Sequence, residues 1–122
     1  MQVVIVDGAN VVGSRPDGWW RDRAGAARRL HDHLVATDVV GEIVLVLEGD
    51  ARRGRHVGQE GHVQTVHAAR SGDDAIVDEV RSQVAFGDRR GVTVVTADRD
   101  LRDRVEAVGA STRSPRWLLD QL

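Results

Sequence analysis

Val3-Val4-Ile5-Val6 is a β-branched run that stops abruptly at Asp7-Gly8, and its lack of polar alternation reads as a strand buried on both faces. Ile43-Val44-Leu45-Val46-Leu47 repeats the pattern and ends in Glu48-Gly49. A third candidate runs from Val63 to His67, and a fourth, Val92-Thr93-Val94-Val95-Thr96, leads into Ala97-Asp98. The segments between them carry helical spacing. Trp20, Ala24, Ala27, Leu30, Leu34 and Val35 predict an amphipathic helix over Trp19 to Ala36 with Trp20 in the core. Ile76, Val77, Val80 and Val84 predict a second, opened by Ser71-Gly72-Asp73-Asp74, where a capping residue and early acids suit a helix N-terminus. Leu101, Val105 and Val108 mark a third, closed by Gly109, and Ser114-Pro115 opens a short last helix that Trp117 anchors to the sheet. Strands alternating with helices predict an α/β domain with a largely parallel sheet. Gly49 to Gly61, rich in Gly and Arg, reads as one long functional or mobile loop.

A chain of 122 residues with 41% hydrophobic and 30% charged residues fits one soluble domain. There is no run of about 18 apolar residues, and the N-terminus enters a strand without a basic segment, so neither a membrane span nor a secretory signal is expected. The cytoplasm is the expected compartment. The absence of Cys excludes disulfides, thiolate zinc sites and a thiol nucleophile. Every one of the 17 basic residues is Arg, which excludes a lysine Schiff base and a P-loop lysine. Neither a G-x-S-x-G elbow nor a glycine-rich dinucleotide fingerprint follows the first strand.

In a parallel α/β sheet the strand C-termini share one edge, where ligands bind near the switch point of strand order. Asp7, Glu48, Asp73, Asp74, Asp98 and Asp100 all fall at that edge. Two carboxylates about 4 Å apart repel by roughly 4 kcal/mol at an effective dielectric near 20, so a dry cluster needs a counter-charge. Arg70 and Arg99 are close in sequence to the acids, and a hard divalent cation would supply more charge. All-oxygen ligation by short Asp side chains suits Mg²⁺ or Mn²⁺, which can activate water and hold a phosphodiester for in-line attack. Taken singly, each acid reads equally well as a helix cap or turn former.

The stretches Val6-Asp7-Gly8-Ala9-Asn10-Val11-Val12, Ala69-Arg70-Ser71-Gly72-Asp73-Asp74-Ala75-Ile76 and Val95-Thr96-Ala97-Asp98-Arg99-Asp100 together resemble the NYN domain family, nearest its YacP-like branch. The resemblance covers about Val3 to Gly109. It implies a single PIN-like domain over residues 1–122, a three-layer α/β/α fold with a central, mostly parallel sheet of four to five strands. It further implies a metal-dependent endoribonuclease in which Asp7, Asp73, Asp74 and Asp98 hold Mg²⁺ or Mn²⁺, Asn10 fixes the geometry and Asp100 assists. RNA is the implied partner, with a protein regulator or a ribosome-associated partner left open. Glu48 departs from the Asp-Gly of the YacP-like pattern.

Without Asp7, Asp73, Asp74, Asp98 and Asp100 the 19 acids fall to 14 against 17 arginines, so the remaining surface can attract phosphates. Arg52, Arg53 and Arg55 follow the second strand on the acidic rim, and with Arg70 and Arg99 they are the candidate phosphate contacts. Trp19 is a candidate for base stacking. His31 and His33 do not share a helix face and read as surface residues, and His56, His62 and His67 receive no role. Two other readings stand beside the nuclease: a non-catalytic RNA-binding or toxin-like partner module, and a structure-specific DNA nuclease on the same fold.

Overall fold

The computed structural model describes residues 2–38, 40–87 and 91–122. Strands β1 (Gln2–Asp7), β2 (Glu42–Leu47), β3 (Gly58–Glu60), β4 (Val63–His67), β5 (Gly91–Val95) and β6 (Ser111–Arg113) form one sheet in the order β3-β4-β2-β1-β5-β6. Only β3 runs antiparallel to its neighbour; every other pairing is parallel. The helices are α1 (Gly8–Gly13), α2 (Arg23–Ala36), α3 (Gly72–Gly87), α4 (Arg99–Ala107) and α5 (Pro115–Leu119). None of them, among the described residues, is long and apolar enough to cross a membrane.

The uninterrupted apolar runs have a simple cause. After the first residue of β1, β2 and β5, every position is buried, because both faces of the central strands are covered. Alternate residues face opposite ways. Val3, Ile5, Val44, Val46, Val92 and Val94 pack with Ile76, Val80, Leu101 and Val105 of α3 and α4. Val4, Val6, Ile43, Leu45, Leu47 and Val95 pack with Val11, Ala27, Leu30, Leu34 and Leu118 of α1, α2 and α5. The result is the expected α/β/α sandwich. Ser114 caps α5 through the amide of Trp117, Pro115 opens the helix, and Trp117 packs partly buried against the second of these cores.

The sheet has six strands where four to five were expected. The two additions, β3 and β6, are three-residue edges with no apolar run to announce them. The stretch from Gly49 to Gly61 is ordered as well: a 3-10 helix over Gly49–Gly54 is followed by β3. That helix lies directly on α2, since a Cβ at Gly54 would stand 2.1 Å from the carbonyl oxygen of Ala24.

The first long helix also differs from its expected span. Trp19–Arg21 forms a separate 3-10 turn, and α2 starts at Arg23 because the carboxylate of Asp22 accepts the amide of Gly25 at 2.8 Å. Trp20 is therefore left outside the core, 54% exposed. His31, expected at the surface, is only 1% exposed. With Ala27, Leu30 and Leu34 it occupies positions i, i+3, i+4 and i+7 of one stripe, and that stripe faces the sheet.

Candidate active site

From β1 the chain first builds toward β2 and β4 on one side, then returns through α3 to β5 on the other. Strand order therefore reverses at β1 and β5, and the connections leaving these two strands diverge to opposite faces of the sheet. Asp7 ends β1, and Asp98 stands between β5 and α4. The two aspartates thus sit at the switch point.

Asp7 is 7% exposed and caps α1, its Oδ1 accepting the amide of Asn10 at 3.3 Å. Its Oδ2 accepts the Thr96 hydroxyl at 2.9 Å. Burial pushes its pKa up to about 6, against the lowering effect of those two hydrogen bonds and with a further push from the charges of Asp73 and Glu48. Gly8 has to be glycine here, because a Cβ would meet the Val46 carbonyl oxygen at 2.7 Å.

Thr96 is a residue the sequence reading passed over. Fully buried, its hydroxyl donates to Asp7 and accepts the amide of Asp98 at 3.2 Å, while its carbonyl accepts Arg102 Nε at 3.0 Å. Asn10 Oδ1 accepts the amide of Ala97 at 2.8 Å, which ties α1 to the same loop. Asp98 itself caps α4, Oδ1 accepting the Leu101 amide at 3.2 Å. Thr96 and Asn10 thus fix the relative placement of the two aspartate-bearing loops. The signal in the sequence is only that a hydroxyl precedes Asp98 by two residues.

Glu48 leaves β2 and reaches across to the start of α3, where Oε2 accepts the amide of Gly72. A Cβ at Gly72 would stand 2.6 Å from that oxygen, so glycine makes room for the carboxylate. The Ser71 hydroxyl accepts the amide of Asp73 at 3.1 Å and thereby helps to start α3. The Asp73 carboxyl is held above its ordinary range by burial first and then by the charges of Asp98 and Glu48, with Arg104 opposing. Asp7, Glu48, Asp73 and Asp98 are therefore linked as a group, Glu48 and Asp73 acting on Asp7 and Asp98 and Glu48 acting on Asp73.

Asp74 reaches that group through its charge on Asp73, and Asp100 acts on neither Asp7 nor Asp73. Asp74, 70% exposed, pairs with Arg104 at 2.9 Å, and Asp100 is exposed in the first turn of α4. Neither acts on Asp7. Of the candidate arginines, Arg70 and Arg99 are exposed and form no ion pair among the described residues. Arg52 folds its Nε onto the Gly49 carbonyl at 3.1 Å, and Arg53 is exposed beside it. Arg55 is half-buried and committed to Glu60 at 2.8 Å, while His67 Nε2 lies 2.7 Å from the Arg55 carbonyl.

Among the described residues, no three His, Asp or Glu side chains stand close enough to grip one ion directly. The donor chemistry nevertheless suits a hard cation: the charges of Asp73 and Glu48 push Asp7 up, and those of Asp98 and Glu48 push Asp73 up against the pull of Arg104.

The class defined by this fold is a single-sheet parallel α/β domain with carboxylates gathered at its switch point. No protein-family model matches the chain, and no curated protein matches it. Solved structures similar to it include Rae1 (YacP) from Bacillus subtilis, with a TM-score of 0.77 at 18% identity over 98% of this chain and 72% of that one, and a single-substitution mutant of the same protein, with a TM-score of 0.76 at 19% identity over 98% and 74%. The fold is YacP-like.

Proposed function

We propose that this chain is a metal-dependent endoribonuclease that hydrolyses phosphodiester bonds of single-stranded or structured RNA. The observation that carries the reading is Asp7, a buried carboxyl with a pKa near 6, at the sheet's switch point and facing the charges of Glu48 and Asp73. A rim built this way is costly to fold and gains its purpose from a cation. The resemblance of the three motifs to NYN domains and the YacP-like fold support it.

Asp7, Asp73 and Asp98 would hold Mg²⁺ or Mn²⁺, with bound waters spanning what the carboxylates do not reach. When bound, such an ion supplies Lewis-acid activation of water and a clamp on the scissile phosphate. Thr96 and Asn10 tie the loop that carries Asp98 to Asp7 and the start of α1. Glu48 adds negative charge from the α3 side and holds Gly72 in place. Arg70 and Arg99, with Arg52 and Arg53, would receive the backbone phosphates on either side of the cut. Asp74, Asp100 and Arg55 take supporting parts at most, given where their side chains are committed or exposed.

That no three-carboxylate nest stands ready among the described residues favours one other reading, an RNA-binding module without turnover. A labelled RNA and its DNA counterpart, incubated with Mn²⁺ and then with chelator, separate the readings. RNA cutting that chelator stops and Asp7→Asn abolishes is the expected result. Binding without cutting supports the module, and preferential cutting of DNA supports a DNA nuclease.

A further inference from the structure

Two neighbouring clefts open where the chain enters α2, and the first of them meets the acidic rim at Glu48. The first, about 270 Å³, begins at Glu48 and Arg70 and is walled by Trp19 and Arg23 over an apolar floor. The second, about 220 Å³, is walled by Trp20, Arg21 and Arg53. Arg23 and Asp50 line both, so the clefts adjoin across these two side chains and together offer an interrupted channel from Glu48 past Trp19 to Trp20.

The lining is basic and aromatic in alternation. The Arg23 guanidinium lies 4.9 Å from the centre of the Trp19 ring, and that of Arg21 lies 6.0 Å from the Trp20 ring. Two of its acids are held away from the opening by backbone amides, Asp22 by that of Gly25 and Glu48 by that of Gly72, and keep their charge. Four guanidinium groups, on Arg21, Arg23, Arg53 and Arg70, thus stand against the three carboxylates of Asp22, Glu48 and Asp50, which leaves the lining one positive charge in excess. Trp20 contributes nothing to the core that would explain its exposed ring. The two indoles stand edge to face, their centroids 6.1 Å apart and their planes at 89°. Bases laid on both rings would be turned about a right angle from each other, an arrangement open to an unpaired strand and closed to a stacked duplex.

We infer that this channel is the track for an unpaired RNA strand leaving the acidic rim, with Trp19 and Trp20 each taking one base and the four arginines following the phosphates. The inference rests on the ribonuclease reading for its occupant. Its test does not depend on cleavage. Anisotropy of a labelled single-stranded RNA, its duplex and the same sequence as single-stranded DNA is measured with wild-type protein in chelator. Single-stranded RNA should bind at least tenfold more tightly than duplex. Trp20→Ala should weaken it about tenfold, in keeping with the loss of one base–aromatic stack, and Arg53→Ser should reduce the slope of log affinity against log salt by about 0.7. Trp20 and Arg53 are exposed, so circular dichroism and melting should stay as in wild type. Wild-type affinity in both Trp20→Ala and Trp19→Leu, equal binding of duplex, or tighter binding of single-stranded DNA would overturn the inference. Absence of cutting in Mn²⁺ with tryptophan-dependent binding intact would sink the nuclease reading alone.

Discussion

Asp7 ties stability to pH in a direction opposite to that of most surface carboxylates. Its folded pKa, about 6, lies above the ordinary 3.8, so between these values the folded state binds the proton that the unfolded state has released. The contribution of this group is therefore most favourable below about pH 4 and is lost as pH rises through 6. Asp7→Asn removes the titration. In urea denaturation the stability of that variant relative to wild type should improve by on the order of 3 kcal/mol between pH 4 and pH 7.5, the free energy equivalent of a shift of this size. A constant difference across that range would show that Asp7 is not perturbed. Thr96→Val leaves Asp7 Oδ2 and the Asp98 amide without their partner, and should cost about 1–3 kcal/mol and slow cleavage well beyond what Thr96→Ser does. None of this was legible at Thr96, because the bond to Asp7 spans 89 residues and exists only once β5 lies beside β1. The acids themselves were legible, since each of Asp7, Glu48 and Asp98 ends an apolar run.

At the scale of elements, the central strands declared themselves by burial on two faces, whereas β3 and β6 pair along edges where side chains need not be apolar. The start of α2 was misjudged for a local reason: periodicity counts Trp20 as a core position, but the Asp22 cap begins the helix three residues later. The polarity of His31 argues for the surface, while its place on the stripe of Ala27, Leu30 and Leu34 puts it in the core. The 3-10 helix on α2 carries a sharp expectation. Gly54→Ala drives a methyl group into the Ala24 carbonyl and should destabilise the domain by roughly 1–3 kcal/mol, as overpacking of a close contact does. Thermal melting reads this directly, and an unchanged midpoint would mean that the two helices are not so closely packed. Glu48→Ala removes a carboxylate from the N-terminus of α3 and should cost about 1 kcal/mol, a loss Glu48→Gln should partly restore.

For the whole molecule, the rim of Asp7, Glu48, Asp73 and Asp98 concentrates negative charge where the strand order reverses, and the arginines lie around it rather than within it. On the proposed reading, an added cation would stabilise the fold, because it would bind the native state and not the unfolded chain. The melting midpoint should rise with Mn²⁺ at pH 7.5. It should rise much less at pH 5, where Asp7 carries its proton and competes with the ion. Calorimetric titration of Mn²⁺ into the protein at pH 7.5 addresses the matter with no RNA present. Saturable binding in wild type, lost in both Asp7→Asn and Asp98→Asn while their far-ultraviolet spectra stay native, is the expected result; a flat wild-type titration, or one that the two substitutions leave unchanged, would contradict a metal site at this rim.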